Sequence, residues 1–340
     1  MKLIYIFTFL LITLFVNAQT NYLRISPNII LPKDSTESKN LTGALNDFLI
    51  CAEKPNEENK FVFESEEIET FILLDEINGI RKSGKFKDDF FYKPYLTNVV
   101  LLKDNNYLIQ VSYIGINESI ALLRVSFEVI AHKINNSFVF SSTLLRNSKN
   151  WKIEKTGNNI FHYQNTINTE KVKKFNKLTT LFDLKLKSIG KVTDYYCCDN
   201  IIELEKLIGV DYKSDYNGMM ESVWSSSFGD RKLIVFGNNN SNFDAFDLHD
   251  LFHDRLSLVI DRGKVNKPVD EGCAYLYGGS WGLTWKEIFK AFKEQIASNK
   301  NSNWVEIKET PIYFKTKGFN NAADYIVNAL LVKKIEKEKG

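Results

Sequence analysis

Apolar positions change their period twice along the chain, and each change marks an expected change of architecture. Between residues 41 and 54, LTGALNDFLICAEK places Leu41, Leu45, Phe48 and Ala52 on one face at helical spacing. SEEIETFILLDEINGI, residues 65–80, opens on a Ser-x-x-Glu-like start with acidic residues in its first turn and predicts a second helix. From about residue 96 the period shortens. TNVVLLK, NYLIQVSYIG, ALLRVSFEVIAHK and SFVFSSTLL read as strands, separated by Lys-Asp-Asn-Asn and Asn-Asn-Ser breaks suited to hairpin turns. Helices followed by a four-stranded antiparallel meander predict an α+β module over residues 39–148. Residues 19–38 are polar and aperiodic, a loose lead-in.

The stretch RNSKNWKIEKTGNN, residues 146–159, reads as a connection into a second domain, residues 149–340. There the order changes. IFHYQ (160–164) predicts a short strand, INTEKVKKFNKLTTLFDLKLKSIG (167–190) a long amphipathic helix, and KVTDYYCCD (191–199) a strand. NIIELEKLIGV (200–210) follows as a helix and RKLIVFGNNN (231–240) as a strand. Beyond them lie three more helical patterns, AFDLHDLFHDRLSLVI, TWKEIFKAFKEQIAS (284–298) and NNAADYIVNALLVKKIEKEKG (320–340). The fold class is therefore α+β in both parts. No internal repeat is present.

Residues 1–18 carry a different signal. Lys2 precedes the apolar run LIYIFTFLLITLFV, and VNAQ offers Ala18 for cleavage before Gln19, the pattern of a signal peptide. Export to the periplasm or the extracellular space is expected, and no later apolar run is long enough to span a bilayer. A formal charge of +2 with scattered lysines argues against a nucleic-acid partner. Cys51, Cys197, Cys198 and Cys273 allow three disulfide pairings, among which the sequence does not choose. Cys197 and Cys198 are adjacent in a strand pattern, point to opposite faces, and read as core thiols or partners in separate bridges. His132 also falls in a strand pattern and reads as a structural histidine.

Chemistry concentrates in the second domain. His249 and His253 stand at i and i+4 within FDLHDLFHDRL, so a helix there stacks both imidazoles on one face, where they can ligate one ion. Catalytic zinc needs three protein ligands and an open position. PVDEGCAYLYGG, residues 268–279, supplies Glu271 at the start of a further helix, which Pro268 and Asp270 suit. A carboxylate from that helix, folded back beside the first, completes a His-His-Glu zinc site.

With these residues in hand, the domain resembles the gluzincin group of metallopeptidases, particularly peptidase-MA-like domains. That group shows HExxH on its zinc helix and then a segment of the type W-x-x-E-G-x-A-x-Y. This chain has His249-Asp-Leu-Phe-His253, then Glu271-Gly-Cys-Ala-Tyr275. The resemblance covers about residues 150–340. The first domain lies outside it and resembles, in architecture alone, the cone-shaped nuclear-transport-factor-like fold. The gluzincin resemblance implies a zinc ion held by His249, His253 and Glu271, with Asp250 in the general-base position. It implies a peptide substrate paired to the strand KLIVFG as an edge strand, at Ile234, Val235 and Phe236. Tyr275, Tyr277 and Tyr313 are candidates for a transition-state hydrogen bond, with no choice among them.

One departure matters. The family's base is glutamate, and aspartate draws the carboxylate back by about 1.5 Å. A displacement of about 1 Å can cost on the order of a hundredfold in rate. The expectation is an exported zinc-metallopeptidase-like protein, weakly active or inactive. The alternative is a non-catalytic envelope-binding or scaffold protein that uses the former cleft. Asp247, Asp254 and Asp261 lie close in sequence, and Asp254 is a candidate to orient an imidazole. YLYGGSWGLTWKE reads as core aromatics and a Gly-rich turn, or as a wall of the cleft.

Overall fold

The computed structural model of the chain describes residues 22–339 apart from 245, 261, 300, 302 and 311. The expected signal peptide lies outside the described residues, as do Asp261 and the first residues of the lead-in. The fold is α+β, in two compact units: residues up to 150 with 201–220, and residues 151–200 with 221 onward.

The first unit begins with β1 (Arg24–Ile25) and α1 (Ser35–Cys51). The helix starts six residues before the periodicity does, because the Asp34 carboxylate caps it, accepting from Thr36 and Glu37 amides at 2.8 Å. The latter part of the lead-in is therefore ordered, not loose. Next comes α2 (Glu67–Ile77), which is buried on most of its sides. Then follow β2 (Lys93–Leu101), β3 (Tyr107–Asn117), β4 (Ile120–Ile134) and β5 (Ser137–Ser141), the expected antiparallel meander, with β1 added in parallel on β2. Leu45, Phe48, Ile72, Phe127 and Phe140 are wholly or almost wholly buried in this unit, each contributing on the order of 2 kcal/mol. His132 on β4 bonds Ser141 Oγ at 2.8 Å and stacks on Phe63 at 4.1 Å, as a structural histidine should.

The second unit opens with β6 (Lys152–Thr156), a hairpin with β7 (Asn159–Tyr163), where a plain connection is expected from the sequence. After α3 (Thr169–Leu186) and β8 (Val192–Cys198) the chain returns to the first unit. There α4 (Ile201–Ile208) leads into β9 (Val210–Lys213), which pairs with β4. The boundary at residue 149 is thus incomplete, since residues 201–220 belong to the first unit. The return is tight. Gly209 has φ +97°, and a Cβ there would lie 2.5 Å from the Glu128 carbonyl oxygen, so only glycine fits.

Back in the second unit, β10 (Ser222–Phe228) and β11 (Arg231–Gly237) complete a sheet of order β10-β11-β8-β7-β6. β7, β8 and β11 are mutually parallel, and β6 and β10 are antiparallel edges. β11 is therefore interior, bonded to β10 on one side and β8 on the other, and Ile234 and Val235 are fully buried. This corrects the expectation that KLIVFG is the edge strand. That place belongs to β10.

α5 (Leu248–Leu256) and α6 (Lys267–Tyr277) follow, then α7 (Trp285–Phe292), the hairpin β12 (Tyr313–Thr316) and β13 (Phe319–Ala322), and α8 (Ala323–Lys339). Leu251 and Phe252 of α5 join Phe161, Phe175, Tyr195 and Ile234 in one core. α8 lies so close to α6 that a Cβ on Gly272 would sit 2.7 Å from the Asn328 carbonyl carbon. All four cysteines are free thiols, so none of the possible pairings is formed. Among the described residues no helix is long and apolar enough to cross a membrane.

Candidate metal centre

α5 starts where Asp247 caps it, its carboxylate accepting from the His249 amide at 2.9 Å. One turn later, Leu251 and Phe252 sink into the core, which fixes the rotation of the helix and turns His249 and His253 towards α6. Arg255 sets it more firmly. Its guanidinium is fully buried, forks onto the Asp183 carboxylate of α3 at 2.5 and 2.9 Å, and reaches Thr193 of β8 at 2.5 Å. Lys232 of β11 bonds the Asp254 carbonyl at 3.2 Å and pairs with its carboxylate at 3.3 Å. The C-terminal end of α5 is thereby tied to α3, β8 and β11.

On the α6 side the three candidate ligands converge. The His249 and His253 Nε2 atoms lie 3.1 Å apart, and Glu271 Oε2 lies 3.3 Å from the first and 3.6 Å from the second. Three donors about 2.0–2.2 Å from one tetrahedral centre stand roughly 3.3–3.6 Å apart; both Glu271 distances fall in that range and the distance between the two Nε2 atoms is slightly shorter. The ring tautomers agree. The His249 Nδ1 lies 3.0 Å from the Gly279 carbonyl, which can only accept, so this nitrogen carries the proton. The His253 Nδ1 lies 2.6 Å from the buried Asp270 carboxylate and donates likewise. Both Nε2 lone pairs then face each other and a carboxylate oxygen, an arrangement that a cation relieves. His249, His253 and Glu271 are close enough to hold a metal ion.

The electrostatics follow from the same contacts. When the rings are protonated, their Nε2 hydrogens point at Glu271 and hold its carboxyl well below the ordinary carboxylate range. Burial pulls His249 down, but Glu271 and the Gly279 carbonyl outweigh it and leave the ring above its ordinary value. Asp250, one position beyond His249, is exposed on the wall of a cleft of about 770 Å³. Desolvation by the protein around it, then the Asp247 carboxylate, raise its carboxyl, the direction a general base needs.

The cleft accounts for other residues. Its walls include Ser222 and Val223 of β10, Phe175 of α3, Phe236, Asn238 and Trp281. Of the three expected substrate-pairing residues, Phe236 alone lines it. Asp254 is held by Lys232, not by an imidazole; that role falls to Asp270, which the sequence offers only as a helix-start residue. The adjacency Asp270-Glu271, one acid for the metal and one for the histidine, was the available signal. Tyr275 packs edge-on against His249 at 5.2 Å between ring centroids, whereas Tyr277 lies on Phe252 under Lys185 and Tyr313 is largely exposed on β12. The Gly-Gly step in YLYGGSW is structural, since a Cβ on Gly278 would lie 2.4 Å from the Leu248 carbonyl oxygen. Trp281 and Gly282 beyond it do line the cleft.

Comparison with known proteins finds no matching family model, and neither a curated protein nor a solved structure is similar to this chain.

Proposed function

We propose that the second unit is a gluzincin-like zinc peptidase domain, exported with its chain, that binds peptides and cleaves them slowly or not at all. The observation that carries this reading is the convergence of His249, His253 and Glu271 on one point, each imidazole oriented by its own acceptor. Two nitrogens and one carboxylate oxygen suit zinc better than the all-oxygen preference of calcium or magnesium. Zinc held there supplies Lewis acidity, which polarises a peptide carbonyl and activates water.

The chain's own groups supply the rest. β10, at the end of the strand order, is where an extended peptide adds to the sheet, with Ser222 and Val223 facing the cleft. Asp250 of α5 also lines that cleft and accepts the proton of the attacking water. Asp270 and the Gly279 carbonyl keep the imidazoles from turning. The reach of Asp250 favours a second reading, a binding protein with a silent cleft, because its carboxylate is set back by one methylene. Peptidase assay of the zinc-loaded protein beside Asp250→Glu and Asp250→Asn separates the two. Activity in wild type that is lost in Asp250→Asn supports the enzyme. Activity confined to Asp250→Glu leaves the binding protein, and inactivity of all three sinks the peptidase reading.

A further inference from the structure

The loop joining α6 to α7 carries a residue that the fold does not favour where it stands. Ser280 and Leu283 exchange both backbone hydrogen bonds, at 3.1 and 2.9 Å, which closes a two-residue turn over Trp281 and Gly282. Both central residues have positive φ, +52° for Trp281 and +70° for Gly282. Turns of this kind favour Asn-Gly, because a bulky side chain at positive φ is strained. Trp281 is nevertheless there, and 58% exposed, so packing recovers little of that strain. Strained backbone gathers at ligand contacts, so an exposed aromatic residue held in it is a candidate for one.

Its surroundings identify the ligand. Trp281 and Phe319 of β13, itself 44% exposed, have parallel rings (7° apart) with centroids at 5.9 Å, and both line the cleft. Together they form a stacked, exposed aromatic pair. Asn238 lies on the same lining, and its side-chain oxygen accepts no hydrogen bond among the described residues. Two lysines, Lys171 and Lys174, line the cleft against five carboxylates, Asp244, Asp247 and Asp250 among them, which favours a cationic chain. The turn is also braced against the metal centre, since Gly279 bonds His249 two residues before Trp281. A Cβ on Gly279 would lie 1.9 Å from the Leu283 carbonyl oxygen, so the brace does not tolerate another residue.

We propose that Trp281, with Phe319 beside it, is the platform on which the cleft receives an aromatic side chain of a lysine-bearing extended peptide. The proposal rests on the peptide-cleft reading above and adds the substrate class. An aromatic contact of this kind is worth about three- to tenfold in affinity.

The test is binding of acetylated, amidated peptides, Ala-Lys-X-Ala-Ala with X as Phe, Leu or Ala, to the zinc-loaded full chain by titration calorimetry. Wild type should prefer Phe over Ala by about three- to tenfold. That preference should persist in Trp281→Phe and disappear in Trp281→Asn. Because asparagine suits the turn, Trp281→Asn should unfold at the same temperature as wild type or higher. Equal affinity for the three peptides in wild type overturns the proposal, as does a preference that survives Trp281→Asn. A lower unfolding temperature for Trp281→Asn also overturns it, since the tryptophan would then be holding the fold. Side-chain-dependent binding without hydrolysis supports this proposal while the enzyme reading falls. Hydrolysis without side-chain preference overturns this proposal alone, and failure to bind any of the peptides overturns both.

Discussion

His132 in the first unit and the pair His249–His253 in the second are all partly or wholly buried, yet they spend their ring nitrogens differently. His132 gives Nε2 to the Ser141 hydroxyl and its ring face to Phe63. His249 and His253 give only their Nδ1 atoms to the protein, and their Nε2 atoms meet at 3.1 Å beside Glu271. Burial therefore does not distinguish a structural histidine from a metal ligand. What does is whether lone pairs converge on a point that no protein donor fills.

Four changes sharpen that contrast, beginning with the largest effect. Arg255 holds α5 through a buried ion pair, so Arg255→Met leaves the Asp183 carboxylate buried without its counter-charge. We expect a loss of about 3–5 kcal/mol in denaturant unfolding, most of it recovered in the double variant Asp183→Leu/Arg255→Met. If the single variant is neutral, the helix is held by its apolar face alone. Next, Asp270→Asn keeps a side chain of similar size but weakens the grip on His253. Zinc affinity should fall about ten- to a hundredfold with the unfolding temperature of the metal-free protein nearly unchanged. Unchanged affinity would mean that Asp270 orients nothing.

In the first unit, His132→Leu removes one hydrogen bond and should cost about 1 kcal/mol while leaving metal binding as it was. Any change in zinc content there would break the comparison. The smallest effect is on pH. Burial lowers His132 below its ordinary value, so the unfolded chain takes up the proton first as pH falls. Its contribution is complete above about pH 6.5 and shrinks as pH drops from there towards the depressed folded value. Stability measured between pH 7.5 and 5.5 should fall more steeply in wild type than in His132→Leu. Parallel slopes would remove His132 as a contributor.

The clustering of His249, His253 and Glu271 was legible in the sequence because helical spacing brings the two histidines together and Asp-Glu-Gly at a helix start supplies the acid. The α+β class was legible because the period changes are clear. The strand order was not. β10 has a weak pattern, SVWSSSF, and follows a return of residues 201–220 to the first unit that no local signal announces. Without β10, β11 reads as the edge, and Ile234 and Val235 are assigned to substrate when they are core. The Arg255–Asp183–Thr193 cluster joins three elements far apart in sequence, and only their packing discloses it. Asp270 was visible as a helix-start residue, but its bond to His253 depends on how α6 lies against α5.

The central claim is that His249, His253 and Glu271 hold one zinc ion, and zinc titration of the purified, metal-stripped chain tests it most directly. Calorimetry should show a single site, lost in His249→Ala and in Glu271→Ala and weakened by more than about a hundredfold in His253→Ala. Absence of zinc binding in wild type, or binding that survives these substitutions, contradicts the account.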